Sequence, residues 1–155
     1  MDITTELATG PTDEVRALVG ELEDILSAGY PPEQRHGLSL AAIFAPHVRF
    51  FVARADAAPA GCGGVALLDG FAEVKRMYVR ATARGRGIAE TILARIETAA
   101  RDAGYATLRL ETGDRQVAAM KFYERAGFRR CAAFGAYAAM PAHAISTSVF
   151  FEKSL

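Results

Sequence analysis

The sequence predicts an α/β fold, an α+β mixed sheet flanked by about four helices. The 155 residues suit one compact domain, and contents of 51% hydrophobic and 23% charged residues are typical of a globular chain. Segments with the alternation of strands are interspersed with segments of helical period. No internal repeat or long linker divides the chain, so we expect residues 1–155 to form one domain.

Four segments have the features of helices. The first begins at Pro11-Thr12, has its apolar residues at helical spacing and ends at Gly29. In the third, an isoleucine or alanine recurs every fourth residue from Ile88, and Gly104 ends the helix. The predicted helices are Thr12–Gly29, Pro31 to about Phe44, Ile88–Gly104 and about Gln116 to Ala126.

The remaining patterns favour strands and tight turns. Leu108 and Leu110 alternate with charged residues, as in a half-buried strand. Asp69-Gly70 is a strong hairpin signal, and Ala57–Gly61 is rich in turn residues. The predicted strands are a short one around Ile3, then Val48–Arg54, Gly63–Leu68, Phe71–Val79, Ala106–Thr112, Phe128–Phe134 and Thr147–Lys153.

The composition excludes several classes of partner. Eighteen Lys and Arg balance eighteen Asp and Glu, so no basic field attracts nucleic acid or an anionic membrane. No apolar run reaches the ~20 residues of a membrane span, and Met1–Glu6 lacks the features of a secretory signal. Cys62 and Cys131 lie far apart, and the histidines share no ligand spacing. We therefore expect a cytoplasmic protein with reduced thiols, no metal, and neither nucleic acid nor membrane as partner.

The segment Val79–Ala89 has the features of an anion-binding turn. Gly85 and Gly87 stand between a strand and an amphipathic helix, whose free N–H groups and dipole attract phosphate. Glycines allow close approach of the backbone, and Arg84 and Arg86 add positive charge. Both P-loop and GxGxxG motifs are absent, because no Gly-Lys-Ser/Thr follows and residue 90 is a glutamate. Taken alone, an ordinary solvated helix start explains the segment equally well.

Three segments together carry a resemblance to a family. Arg84-x-x-Gly87-x-Ala89 resembles the acyl-CoA pyrophosphate motif R/Q-x-x-G-x-G/A of the GNAT N-acetyltransferases, and Glu73–Val79 is similar to the strand before it. Ala119–Phe128 resembles the family signature A-x-x-x-Y-x-x-x-G-F. The resemblance is clear over residues 71–130 and fits a small bacterial single-domain member. It implies a mostly antiparallel sheet with one splayed parallel pair, formed by the strands that end near Val79 and Thr112.

The resemblance implies acetyl-CoA as the acyl-donor substrate. Backbone groups of Met77 and Val79, with Tyr78 between them, would pair with the pantetheine arm like an added strand. Gln116 stands seven residues before Tyr123, where the family often has an Asn that contacts the cofactor, and the longer amide would make the same contact. The pyrophosphate would be held by the amides of Arg84, Gly85, Arg86, Gly87, Ile88 and Ala89.

Acyl transfer to an amine needs a base, because an alkylammonium has a pKa of roughly 10. Glu73, eleven residues before Arg84, matches the base glutamate of some family members, the histone acetyltransferases among them. Glu111 on the adjacent strand is the competing base, and either carboxylate could act through a water molecule. Strand alternation predicts two sets of side chains on opposite faces: Glu73, Lys75, Met77 and Val79 on one, and Val74, Arg76 and Tyr78 on the other.

The remaining candidates follow from the same resemblance. Tyr123 would protonate or hydrogen-bond the departing sulfur, and the Met77 amide would stabilise the oxyanion. Tyr30, His36 and Tyr137 belong to segments that cover the acceptor groove in this fold, with a purely structural role as the alternative.

The sequence thus predicts an acetyl-CoA-dependent N-acetyltransferase for a small primary amine or amino acid, by direct transfer in a ternary complex. A non-catalytic or regulatory acyl-CoA-binding domain and a protein or peptide N-acetyltransferase are the alternatives. A homodimer is compatible with the resemblance, because terminal strands can pair across subunits in the family.

Overall fold

The structure is a computed structural model that describes residues 1–155. Its seven strands form one sheet in the order β1-β2-β3-β4-β5-β7-β6, and only β4 and β5 are parallel neighbours. The predicted mixed α/β sheet is therefore confirmed. The strands are β1 (Ile3–Leu7), β2 (Val48–Ala55), β3 (Ala58–Leu67), β4 (Ala72–Val79), β5 (Thr107–Gly113), β6 (Arg129–Cys131) and β7 (Ser148–Ser154). The helices are α1 (Asp13–Gly29), α2 (Ile88–Asp102), α3 (Val117–Arg125) and α4 (Ala142–Ile145).

The two faces of the sheet are covered by different helices. The larger core lies between the sheet and α2, around Ile92, Ile96 and Leu108, which are all fully buried. On the other face, α1 packs Val15 and Leu18 over β2 and β3. A third cluster is aromatic, and its members are Phe71, Phe134, Tyr137 and Phe150. None of the helices is long and apolar enough to cross a membrane.

The parallel pair separates soon after it forms. β4 and β5 are in register only at Ala72 opposite Leu108 and Glu73 opposite Arg109. Beyond Glu73, the edge of β4 that faces β5 has no strand beside it, as the family resemblance predicts for a splayed pair. This edge leaves backbone N–H and C=O groups free to pair with an extended ligand.

A β-bulge in β4 changes which side chains share a face. The register with β3 shifts between Cys62 and Gly64, and Arg76 has a positive φ of 53°. Because a bulge inserts one unpaired residue, it reverses the alternation beyond it. The predicted alternation is therefore wrong after Lys75: Met77 packs into the α2 core, whereas Tyr78 packs on the α1 face.

The predicted second helix, Pro31 to Phe44, is also wrong. Only two short 3-10 turns form there, at Pro32–Gln34 and Ala42–Phe44. Between them, two carbonyls accept side-chain hydrogen bonds from β4: His36 O from Lys75 and Leu38 O from Arg76. These tertiary hydrogen bonds hold the segment as an irregular strap that crosses the middle of β4, at Lys75 and Arg76.

The other differences from prediction are smaller. β3 begins at Ala58 because Asp56 and Ala57, both with positive φ, form the whole hairpin turn. The predicted strand Phe128–Phe134 is paired only at Arg129–Cys131, since Phe134 turns inward to pack on Phe71 and Phe150. A 3-10 turn at Gly135–Ala139 and helix α4, neither of them predicted, follow.

Candidate active site

An open cleft of about 800 Å³ lies where β4 and β5 separate, and we call it the central cleft. Its walls come from the two splayed strands, the end of α1, the strap after α1, and α3. It brings together eight of the sixteen candidates that the sequence predicts. They are Tyr30, His36, Glu73, Met77, Glu111, Gln116, Tyr123 and Tyr137.

The most constrained group in the cleft is the Glu73 carboxylate, which is only 4% exposed. Its Oε2 accepts a hydrogen bond from the Tyr137 hydroxyl at 2.6 Å and lies 3.0 Å from Lys75 Nζ. Lys75 Nζ also donates to the Tyr137 hydroxyl at 2.9 Å and to His36 O at 3.3 Å. Oε1 of Glu73 has no hydrogen-bond donor from the protein. These contacts fix the carboxylate in one orientation and leave one oxygen for a ligand.

Glu111 is the second carboxylate of the cleft, on β5. The Ser148 hydroxyl donates to its Oε2 at 2.6 Å. Burial raises the pKa of Glu111 above its ordinary value, against the opposing effects of the Ser148 hydrogen bond and of the nearby His36 and Lys75. The neighbouring charge of Glu73 also raises this pKa. The cleft therefore holds two carboxylates in different environments.

Tyr123, on α3, lies at the boundary between the core and the central cleft. Its ring packs against Phe128 and Phe151, with centroids 5.6 and 6.3 Å away. Burial raises the pKa of the phenol, so it stays protonated at neutral pH. The hydroxyl forms no hydrogen bond with the protein, which leaves it free to donate to a ligand in the cleft.

The predicted anion-binding turn lies beyond the end of β4, outside the walls of the central cleft. Gly85 and Gly87 have φ values of 75° and 80°, in the left-handed region that favours glycine. The Arg84 amide, which was predicted to bind the pyrophosphate, donates instead to Ala81 O at 3.5 Å. After Arg84, the next amide with a backbone acceptor is Thr91 N, which donates to Gly87 O at 3.1 Å. The amides of residues 85–90 are thus available to an anion, and Arg84 and Arg86 are exposed beside them.

Two predicted ligand residues use their side chains elsewhere. The Tyr78 hydroxyl donates to Glu21 Oε1 at 2.9 Å on the α1 face, so only its backbone lies along the open edge of β4. Tyr30 joins the end of α1 to the loop after β5, because its Oη accepts from Arg115 N at 2.8 Å. A Cβ at Gly113 would lie 2.2 Å from that Oη.

The other two candidates have clear partners at the cleft. His36 Nε2 donates to Ala144 O at 2.7 Å, and its ring meets Tyr137 edge-on at 5.5 Å. Gln116 is the residue before α3, where its carbonyl accepts from Met120 N at 3.0 Å.

Sequence reasoning missed Lys75 as a site residue. Its position two residues after Glu73, on the same face of a strand, was the available signal. Arg76, a charged residue in an apolar strand, has an ion-pair partner: its Nη1 lies 2.9 Å from Glu23 Oε2. No group of three or more His, Cys, Asp or Glu side chains is arranged to hold a metal ion.

The parallel strands β4 and β5 splay apart and leave an unpaired edge that leads to a glycine turn with free amides. Together with a cleft that holds two carboxylates and a buried tyrosine, this arrangement is that of an acetyltransferase. The chain belongs to the acetyltransferase (GNAT) family, whose model matches residues 18–128. The sequence resemblance is thereby confirmed, and the chain is an acyltransferase.

Individual relatives agree with this assignment. The chain is 41% identical over 145 residues, 92% of each chain, to the IAA acetyltransferase of Azospirillum brasilense. A presumed acyl-CoA N-acyltransferase of Klebsiella pneumoniae has a crystal structure with TM-score 0.78 and 31% identity, covering 99% of this chain and 97% of that one. The PaiA N-acetyltransferase of Thermoplasma acidophilum, solved with coenzyme A, shares the fold at TM-score 0.72 and 17% identity, covering 98% of this chain and 99% of its own.

Proposed function

We propose that this acetyltransferase uses acetyl-CoA to acetylate the primary amine of a small molecule or amino acid, by direct attack in a ternary complex. The observation that carries the proposal is the open edge of β4. It runs from Glu73, which lines the central cleft together with Tyr123, to the turn with free amides. We further propose that residues 1–155 act as one catalytic domain.

The residues along this path fit the parts of acetyl-CoA. The free amides of residues 85–90 and two arginines suit a pyrophosphate, which accepts hydrogen bonds and carries negative charge. The β5-facing edge of β4 from Met77 to Val79 has no neighbouring strand, and Val79 O accepts there only from Arg84 Nε at 3.3 Å. This edge suits the amide groups of a pantetheine arm, as in strand addition. PaiA, solved with coenzyme A, supports this choice of donor. The name of the Azospirillum relative supports a small molecule as acceptor.

Three groups divide the chemistry between them. Glu73 Oε1 takes the proton from the acceptor ammonium, directly or through water, so that the nitrogen lone pair can attack the thioester carbonyl. The Met77 amide donates to the carbonyl oxygen as negative charge develops there. Tyr123 donates to the sulfur as the carbon–sulfur bond breaks. The leaving thiolate takes up the second proton that the attacking nitrogen loses, so the products are an N-acetyl amide, the free thiol and the proton held by Glu73.

The test is release of free thiol from acetyl-CoA by the purified protein with a pool of amines and amino acids, followed by mass spectrometry of the products. An N-acetylated small molecule supports the proposal. Tight acetyl-CoA binding without any product, in calorimetric titration, would indicate a binding domain instead. Acetylation confined to added peptides would replace the small-molecule acceptor with a protein substrate.

The glycine turn makes a separate prediction. Gly87→Val should raise the Kd for acetyl-CoA about tenfold or more, because a β-branched residue strains a left-handed backbone and moves the amides. A Cβ at Gly87 would meet nothing closer than Glu90 Oε2 at 4.0 Å, so the fold should be retained.

Calorimetric titration with acetyl-CoA measures this effect. Gly70→Val is the matched control, because Gly70 also has a positive φ, of 84°, but lies in the hairpin before β4. An unchanged Kd in the Gly87 variant would contradict the pyrophosphate site.

A further inference from the structure

A second cleft, of about 470 Å³, adjoins the central cleft, and Leu26, Arg35, Gly37 and Arg76 line both. We call it the arginine cleft. Its charged lining consists of Arg35, Arg76 and Glu23, and Pro32 completes the wall. Two guanidinium groups thus face one carboxylate, which leaves this cleft with a net positive charge.

Glu23 does not use all the donors around it. Its Oε1 accepts from Arg35 Nη1 at 2.8 Å, and its Oε2 lies 2.9 Å from Arg76 Nη1. Arg35 Nε is buried without a hydrogen bond, and Arg76 Nη1 has only this ion-pair contact with Glu23. The Arg76 side chain is only 7% exposed. Buried N–H donors without acceptors are rare in folded proteins, and Arg35 Nε is such a donor in the wall of this cleft.

The structure maintains this arrangement at the expense of local strain. Arg76 has the left-handed φ of the bulge, which turns its side chain towards the strap instead of into the α2 core. Arg76 Nε donates to Leu38 O at 2.8 Å, and the guanidinium occupies the space that a side chain at residue 37 would need. A Cβ at Gly37 would lie 2.3 Å from Arg76 Cζ. An ordinary surface arginine needs none of these accommodations.

We propose that the arginine cleft binds a carboxylate of the acceptor, so that the acceptor is a primary amine that also carries a carboxylate. This inference rests on the proposed function and names its substrate class. The planar guanidinium matches a carboxylate with two parallel hydrogen bonds. Arg35, the more exposed of the two arginines at 21%, can turn from Glu23 to the ligand while Arg76 stays in place.

The position of the cleft relative to the base supports the same substrate class. Arg76 is three residues after Glu73, on the same face of the bulged strand, which corresponds to roughly 10 Å along β4. The amine at Glu73 and the carboxylate at the arginines would therefore lie along one wall. A polyamine would instead bring a second positive charge towards two guanidinium groups.

The test compares kcat/KM for ω-amino acids, from glycine to 6-aminohexanoate, with their uncharged carboxamides. For at least one chain length the acid should be preferred about tenfold or more, and that length measures the distance between the subsites. Arg35→Gln should reduce the preference to about one, and Glu23→Gln, which releases both arginines, should increase it. Arg16→Gln is the matched control, because Arg16 is an exposed arginine of α1 outside both clefts.

A binding measurement separates this inference from the proposed function. The N-acetylated products, as acids and as carboxamides, are titrated calorimetrically into the CoA-loaded protein. Tighter binding of an acid, lost in Arg35→Gln, supports the carboxylate subsite even when no amine is acetylated, and only the proposed function then fails. The absence of a preference for any acid, or a preference that Arg35→Gln leaves unchanged, overturns the inference.

Discussion

Replacing Glu73 by glutamine should lower kcat by about 10²- to 10³-fold, because the amide cannot take a proton from the acceptor ammonium. Glutamine keeps the shape of the side chain and can still accept the hydrogen bond from Tyr137. The measurement is steady-state kinetics with the best acceptor, together with the Kd for acetyl-CoA, which should be unchanged. Thermal unfolding checks that the fold tolerates Lys75 without its carboxylate partner.

Glu111→Gln is the control that distinguishes the two candidate bases. It removes a carboxylate from the same cleft, and glutamine can still accept from Ser148. With Glu73 as base, the Glu111 variant should keep most of kcat. A large loss in Glu111→Gln with little loss in Glu73→Gln would assign the base to Glu111.

The pH profile gives a second criterion. A base must be deprotonated, so activity falls as the pH drops below its pKa. Burial raises the pKa of Glu111 above the ordinary 4.5. A Glu111 base would therefore place the acidic limb of kcat/KM above that value, and Glu111→Gln would remove the limb.

Replacing Tyr123 by phenylalanine should lower kcat about 100-fold, with little change in the Kd for acetyl-CoA, since only the donor to the departing sulfur is lost. The variant should fold normally, because the hydroxyl has no protein partner and the ring keeps its packing on Phe128 and Phe151. Because burial raises the phenol pKa, the wild type should show no alkaline loss of activity from Tyr123 near neutral pH.

Tyr105→Phe is the matched control for Tyr123. Its hydroxyl donates to Leu68 O at 2.6 Å, outside the central cleft. We expect that variant to lose about 1 kcal/mol of stability and no turnover. Unchanged turnover in Tyr123→Phe would refute its role at the sulfur, and unchanged turnover in both the Tyr123 and Glu73 variants would exclude both residues from catalysis.

Most elements were predictable because their signals are local. An isoleucine or alanine at every fourth residue from Ile88 to Ala100 predicted α2, and all of those positions are buried. Asp69-Gly70 gave the hairpin before β4, with Gly70 in the left-handed region. The strap after α1 was not predictable, since its carbonyls are bound by Lys75 and Arg76, about 38 residues further along the chain.

Within the site, the sequence by itself determined the strand, glycine turn and helix of residues 79–89, because free amides and left-handed glycines depend on neighbouring residues only. The sequence also determined which residue types were available: a carboxylate as the base, and a tyrosine as the hydrogen-bond donor to the departing sulfur. Only the tertiary structure decided how they are combined. Glu73 and Lys75 meet Tyr137 across separations of 64 and 62 residues.

The bulge at Arg76 is also a feature that only the tertiary structure determines. One unpaired residue opposite Gly63 sends Met77 into the core and Arg76 towards Glu23. Alternation within β4 predicts the reverse, because side-chain direction in a strand depends on the register with its neighbour, and a shift of one residue reverses every position beyond it.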